Sequence, residues 1–459
     1  MMRIVSLLVL SLSWPMSSRA NLFDTFGANA RGLSLAGSGA ASVRDPSAVW
    51  YNPAALDRSG DAFSVGVLTG FHRGRILLAD RPTGYEPPGY ADRINPRSNT
   101  EDAQTYGGVL LGLSMQLLND KLHLGLNLMA PFSGFGHLQT EYPDERAQNF
   151  SNRLEWTLTG ERLRSEVIAG AVSYRMTPWF TFGVGVNVLP RSTLIGDVYT
   201  RNAVDPADVD LNLKVEQSAA YGLLAGILVS PYEWLDVGLS FRDEVFFELS
   251  GYNDIELPET GEVVRQPIDL RVHSTPTQGT LSVAARLDDL TLNIDGIYSG
   301  WSRFKNQQGE DAGFDDTVDV KVGLELLTDE DTRIRGGLGW YSSPVPDQTG
   351  RTHYVDNDRL VLAVGVGREL TLFERLLEID VGVQVHLLRP RETQKALGDA
   401  PVCAPGVGVI CDEVPDQTED TALRRAADTQ GLQTGNPGWP GFSSGGYMVA
   451  VGADARWRF

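Results

Sequence analysis

Catalysis is the first use to test for the reactive side chains of this sequence, and they are sparse. Hydrolysis by a nucleophile would bring a serine, a histidine and a carboxylate or amide together. Six histidines occur, at positions 72, 123, 137, 273, 353 and 386, and none stands in a motif of that kind. The two cysteines, Cys403 and Cys411, lie in a Gly/Pro-rich stretch with no cluster of further ligands around them. A metal would need more donors, so in an exported chain the pair is expected to form a local disulfide that stiffens a loop. No catalytic residue, no metal and no cofactor is therefore expected. The remaining charged groups fall in a pattern. Arg333 and Arg335 flank Ile334, Lys321 sits between Val320 and Val322, and Asp319, Glu325, Glu378 and Asp380 alternate with aliphatics in the same way. Cations so placed, with Arg286, can grip a carboxylate.

The elements that would hold these groups on one face are β-strands, whose side chains point alternately to opposite sides. Leu377, Ile379, Val381, Val383, Val385 and Leu387 make one face of such a strand, and Glu378, Asp380, Gln384 and His386 the other. The same alternation predicts fourteen strands: 62–71, 106–118, 122–132, 163–177, 180–190, 211–230, 235–249, 277–287, 290–299, 317–327, 332–341, 359–370, 377–388 and 447–459. An even number of strands with an oily and a polar face describes an all-β, antiparallel transmembrane barrel. The links support it. Short ones (119–121, near Pro178, 232–234, 288–289, 329–331, 373–375) alternate strictly with long ones (73–105, 133–162, 191–210, 250–276, 300–316, 342–358, 389–446). Short periplasmic turns and long outer loops give this alternation and place both termini in the periplasm. The chain stops on an aromatic, Phe459, the expected handle for the barrel-assembly machinery.

Composition sets further bounds. Lys and Arg total 39 against 59 Asp and Glu, a formal charge of −20, which argues against nucleic acid as a partner. No run approaches the ~20 apolar residues of a spanning helix. Arg3, the apolar stretch 4–12 and Ser18-Arg19-Ala20 read as a secretory signal over 1–20, cleaved before Asn21. A signal followed by such strands predicts a Gram-negative outer membrane, in contact with its lipid and lipopolysaccharide. Residues 21–61 are rich in Gly, Ala and Ser and do not alternate. Asp45-Pro46 and Asn52-Pro53 each read as the start of a short helix. Small residues with some Leu, Val and Trp suit a plug packed inside the barrel formed by 62–459.

The stretch Gly32-Leu33-Ser34-Leu35-Ala36-Gly37-Ser38-Gly39, followed by Asp45 and by Ala48-Val49-Trp50-Tyr51-Asn52-Pro53-Ala54-Ala55-Leu56, resembles the hatch of FadL/TodX-type outer-membrane transporters. Tyr298-Ser299-Gly300-Trp301-Ser302-Arg303-Phe304 and Asp356-Asn357-Asp358-Arg359 resemble two further stretches of that family. The resemblance implies fourteen strands, a monomer, and passive uptake of hydrophobic small molecules such as long-chain fatty acids or aromatic hydrocarbons. It implies binding above the plug and sideways release near the third strand, where Gly125 and Pro131 would weaken the ladder. Pro131 could equally just end that strand. By the same resemblance Leu22, Phe23 and Phe26 are candidates for the pocket floor, or else pack the plug on the wall. Phe132 and Phe135 are candidates for a groove at the outer mouth, or else part of an interfacial aromatic belt. Arg333 and Arg335 would face a fatty-acid carboxylate, or else pair with interior acids. The hatch motif itself is Asn52, Pro53 and Ala54. The last outer loop, 389–446, is longer than the family pattern and holds both cysteines.

Overall fold

Strict alternation is realised as a closed cylinder. The structure, a computed structural model, describes residues 22–79, 100–118, 120–132, 155–156, 166–201, 208–257, 262–305, 311–348, 352, 354–395, 438 and 440–459. Phe135, Cys403, Cys411 and the 1–20 segment lie outside them. The cylinder has fourteen strands. They are β1 (Ala62–Leu78), β2 (Thr100–Leu117), β3 (Leu122–Pro131), β4 (Val167–Thr177), β5 (Phe180–Leu189), β6 (Ala220–Tyr232) and β7 (Leu235–Arg242). β8 (Thr277–Leu287), β9 (Leu290–Gly300), β10 (Thr317–Leu327), β11 (Thr332–Tyr341), β12 (Arg359–Leu372), β13 (Arg375–Gln394) and β14 (Gly441–Arg458) complete it. Each is antiparallel to its chain neighbours, and β14 returns to β1 from Ala62↔Arg458 to Leu78↔Phe442. These correspond one to one with the expected strands.

The faces sort as the alternation requires. On β13, Ile379 and Val381 are exposed on the outside, while Glu378, Asp380, Gln384 and His386 are buried inside. Short links close one rim. Phe373 and Glu374, between β12 and β13, both have positive φ (49° and 62°), as the tight primed hairpin turns demand.

Two expected strands are each two elements. The run 211–230 breaks at 218–219, and 235–249 breaks at 243–244. Buried parity switches at both breaks: Val215 and Gln217 are buried before the first, Ala220 and Leu224 after it. Likewise Asp236 and Ser240 give way to Val245, Phe247 and Leu249. Beyond the breaks, Ser192–Arg201, Asp208–Gln217, Val245–Leu257 and Glu262–Thr275 form a separate four-stranded sheet on the long-loop side. Its buried side carries Val215, Phe247 and Leu249, with Ile268 and Leu270 packed against them.

Inside the cylinder lie the short helices α1 (Leu22–Phe26), α2 (Ala30–Ser34) and α3 (Ala48–Tyr51), then a 3-10 helix, Pro53–Arg58. Local chemistry starts each one. The Asn29 side chain caps α2 by accepting from Gly32 N at 2.7 Å. Asn52 Oδ1 accepts from Ala54 N at 3.1 Å, with Pro53 at the first helical position. Asp45 accepts from Ser47 N at 2.8 Å in a turn, so α3 starts at Ala48, later than the Asp45-Pro46 signal suggests.

Candidate functional site

Polar groups on the wall reach in to grip the plug. Gly39 N and Ala40 N donate to Asp295 Oδ2 (3.0 and 3.1 Å), and Ala41 N donates to Ser282 Oγ (2.9 Å). The positive φ of Gly37 (75°) and Gly39 (100°) curls this loop so that its amides face the carboxylate. Ala30 N donates to Asp454 Oδ1 at 2.5 Å, and Arg58 binds both oxygens of Asp236 (2.6 and 2.7 Å). Arg31 of the plug and Arg335 of the wall share Glu325, at 3.1 and 2.6 Å. Between these contacts the inward positions are often glycine. A Cβ on Gly337 would lie 2.3 Å from the backbone of Leu35, and one on Gly183 would lie 2.4 Å from that of Pro53. The plug backbone thus rests directly on the wall.

The hatch motif belongs to this grip. Asn52 Nδ2 donates to Ile227 O on β6 (3.1 Å). Its side chain sits against Gly226 and Gly238, where any Cβ would collide with it.

The first helix is held differently. Leu22, Phe23 and Phe26 are fully buried in the main apolar cluster with Trp50, Tyr106, Leu110, Met129, Leu224 and Met448. Phe23 meets Trp50 edge-on at 5.4 Å, and Phe26 stacks on Tyr106 at 5.0 Å. One ion pair restrains the segment: Asp24 with Arg242 at 2.5 Å, the guanidinium lying 4.2 Å from the centre of the Trp50 ring. Behind it, Tyr51 Oη accepts from Ala28 N (3.0 Å), and burial pushes that phenol above its ordinary acidity range.

The two arginines singled out by alternation face inward, but at the anchor. Arg335 binds Glu325 and Asp380, and Arg333 binds Glu369 at 2.8 Å. Their carboxylates are those of the wall, and of these Glu325 also binds Arg31 of the plug. A different pair of cations borders the aromatic chamber. Lys321 and Arg359 are 5% and 6% exposed. Neither has a carboxylate within 4.0 Å among the described residues. They flank the Tyr341 ring at 4.6 and 5.2 Å, and Arg359 Nε and Nη1 have no hydrogen-bond partner. His386, packed 5.7 Å from Tyr341 and 4.9 Å from Phe26, joins this polar patch to the first helix. These two cations beside buried aromatics, with Asp319 acting on both and Asp295 on Lys321 only from beyond 4.0 Å, can hold an acidic head whose tail lies on the rings. Alternation could have flagged Arg359, which shares the inward parity of Val361 and Ala363 on β12.

Gly125 does not break the ladder. It pairs regularly with Ser114 and Ala171, and its missing side chain makes room for Leu56 and Val49, whose atoms would lie 2.5 and 2.6 Å from a Cβ. Pro131 still pairs with Gly108 on β2, and among the described residues the pairing of β3 with β4 runs as far as Met129↔Val167. Phe132 follows, exposed, its N–H donating to Gly107 O at 2.9 Å. The structure thus gathers Leu22, Phe23 and Phe26 at one chamber and leaves Arg333 and Arg335 apart at the anchor.

A sequence model of the outer membrane protein transport protein family (OMPP1/FadL/TodX) matches residues 9–396. The chain belongs to that family. As a FadL/TodX member it is an outer-membrane transport protein rather than an enzyme. It is 23% identical over 362 residues to a long-chain fatty acid transport protein of Salmonella typhi, covering 67% of this chain and 78% of the relative. It is also 23% identical over 429 residues to alkane uptake protein A of Marinobacter nauticus, covering 83% and 87%. The fold is that of a Pseudomonas aeruginosa FadL homologue (TM-score 0.62, 14% identity, 94% of this chain and 98% of that one). It is likewise that of the P. putida toluene transporter TodX (TM-score 0.54, 13% identity, 95% and 99%).

Proposed function

We propose that this FadL/TodX member takes up hydrophobic small molecules passively, with long-chain fatty acids as its preferred cargo. The observation that carries the preference is the chamber around α1, apolar on one side and bordered on the other by Lys321 and Arg359, which have no carboxylate within 4.0 Å among the described residues. Each buried methylene contributes roughly 0.8 kcal/mol, so the tail supplies most of the affinity. The cations select for an acidic end. Leu22, Phe23 and Phe26 occupy the chamber, so cargo enters by displacing them. The apolar side of the four-stranded outer sheet collects solute first, with Phe132 exposed at the end of β3.

Release is sideways at the end of β3, where Pro131 lacks a donor for the ladder. The protein works as a monomer with both termini in the periplasm, and Phe459 serves its insertion by the barrel-assembly machinery. A second reading is an alkane or aromatic hydrocarbon in the same chamber. The apolar cluster that includes Phe23 and Trp50 favours it. Native mass spectrometry of the purified barrel, with uptake of radiolabelled fatty acid and alkane by cells lacking the protein, separates the two. A co-purified fatty acid whose uptake depends on Lys321 and Arg359 supports the first reading. Uptake indifferent to both residues supports the second.

A further inference from the structure

Between the plug and strands β3 and β4 the contact changes character. The plug presents Val49 and Leu56 there, in one apolar cluster with Ala169 and Ala171 of β4. The wall, however, carries three inward polar side chains, His123, Asn127 and Ser173, only 2%, 4% and 1% exposed. His123 Nδ1, Asn127 Oδ1 and Ser173 Oγ have no hydrogen-bond partner. Buried polar atoms are almost always partnered, so three in one place point to a function.

They are also in line. His123 lies opposite Ser173 and Asn127 opposite Ala169, with only Gly125 and Ala171 between the two levels. The next inward position on β4 is Arg175, whose guanidinium donates to Asp57 (3.0 Å) and whose N–H donates to Lys121 O (2.8 Å). Arg175 lines a cavity of about 280 Å³ at the short-turn rim, with Asp57, Arg58, Trp179, Thr181 and Ser230. At ~3.3 Å per residue, about 20 Å separates Asn127 from this cavity.

We propose that this seam is a track for the hydrogen-bonding end of amphipathic cargo, leading a carboxylate or hydroxyl from Asn127 past His123 and Ser173 to Arg175 at the rim. The amide of Asn127, the imidazole and the serine hydroxyl each offer a donor, and the guanidinium receives an anion at the foot. The opposing Val49 and Leu56 keep the tail dry. A hydrocarbon gains nothing from these groups, so the track adds a rim-directed route used only by cargo with a polar end. It rests on the reading that the protein carries hydrophobic compounds.

The test combines Asn127→Ala with Ser173→Ala, which are smaller than the native residues and so cannot obstruct the seam. Uptake of a saturated fatty acid and of the alkane of equal chain length is compared in cells lacking other uptake proteins. Loss of one hydrogen bond to a charged group corresponds to about tenfold, so fatty-acid uptake falls about tenfold while alkane uptake holds. An equal fall in both, or no change in either, overturns the proposal. A second measurement is independent of cargo. In a Cys403→Ser, Cys411→Ser background, Ser173→Cys is exposed to a negatively charged thiol reagent, with Ala284→Cys, also fully buried on the inner wall, as control. Fast labelling at 173 alone supports a hydrated track. Equal resistance at both positions overturns it, whatever the protein carries.

Discussion

The wall from β7 to β14 and the wall of β3 and β4 hold the same plug by opposite means. On the first, Asp236, Asp295, Glu325 and Asp454 each take a hydrogen bond or ion pair from the plug. On the second, above the Asp57–Arg175 contact, the plug offers only apolar atoms to Gly125, Ala169 and Ala171. Charge-assisted contacts in a dry interior are strong and directional. Contacts between small apolar groups are individually weak and let surfaces slide. The difference teaches that the plug has a fixed side and a yielding side, and that movement of solute past it belongs to the second.

Substitutions can break that comparison. Arg335→Leu has the largest expected effect, because Glu325 and Asp380 would stay buried without their shared cation. Stranding a buried charge costs about 3–5 kcal/mol. The unfolding temperature in detergent should drop by several degrees, and single-channel recordings should show ion leaks. An unchanged melt and a silent bilayer would remove Arg335 from the anchor.

Next comes Gly337→Val beside Gly125→Ala. The first drives a side chain into the backbone of Leu35, at a cost of about 1–3 kcal/mol or more. The second meets only the ends of the Val49 and Leu56 side chains, which can turn aside. Conductance should therefore rise in the Gly337 variant alone. Similar leaks from both would erase the distinction between the two sides.

Replacing Lys321 and Arg359 together by Met tests the chamber rather than the anchor. Fatty-acid affinity, read by calorimetry, should weaken at least about tenfold for lost charge-assisted bonds, while alkane uptake stays level. The fold should hold, since neither cation has a carboxylate within 4.0 Å among the described residues. Arg242→Met should have the smallest effect. It removes the Asp24–Arg242 ion pair and uncovers the face of Trp50, an effect of about 1 kcal/mol where solvent reaches the pair. The first helix should yield more readily, speeding uptake of every cargo by a small factor. Slower uptake would show that Arg242 guides solute instead of restraining α1.

Much of this molecule was legible in its residues. Period-2 alternation located every barrel strand, because an oily outside and a polar inside leave few other choices for a strand in a membrane. It also sorted Arg333 and Arg335 correctly to the interior. It misjudged the two strands that change parity at 218–219 and 243–244, where alternation resumes after a two-residue skip and looks continuous. It placed Arg359 correctly at the start of a strand but did not single it out as a ligand cation, because its inward parity shows only against Val361 and Ala363. The Gly-Ala run and Asn52-Pro53 announced short helices, since capping depends on near neighbours alone.

What the chain determined by itself is therefore which residues face which way: side-chain direction along a strand is local, set by the pleat. Which inward charge meets which partner was decided by closure of the cylinder. Arg31 and Glu325, or Ala30 and Asp454, lie hundreds of residues apart and meet only when β14 joins β1 around the plug. The same closure set Arg335 between Glu325 and Asp380, brought Lys321 and Arg359 beside Tyr341, and turned Gly125 from a supposed weak point into a seat for Val49 and Leu56. Pairing across a lumen depends on register, tilt and the shape of what fills it, and no local pattern carries those quantities.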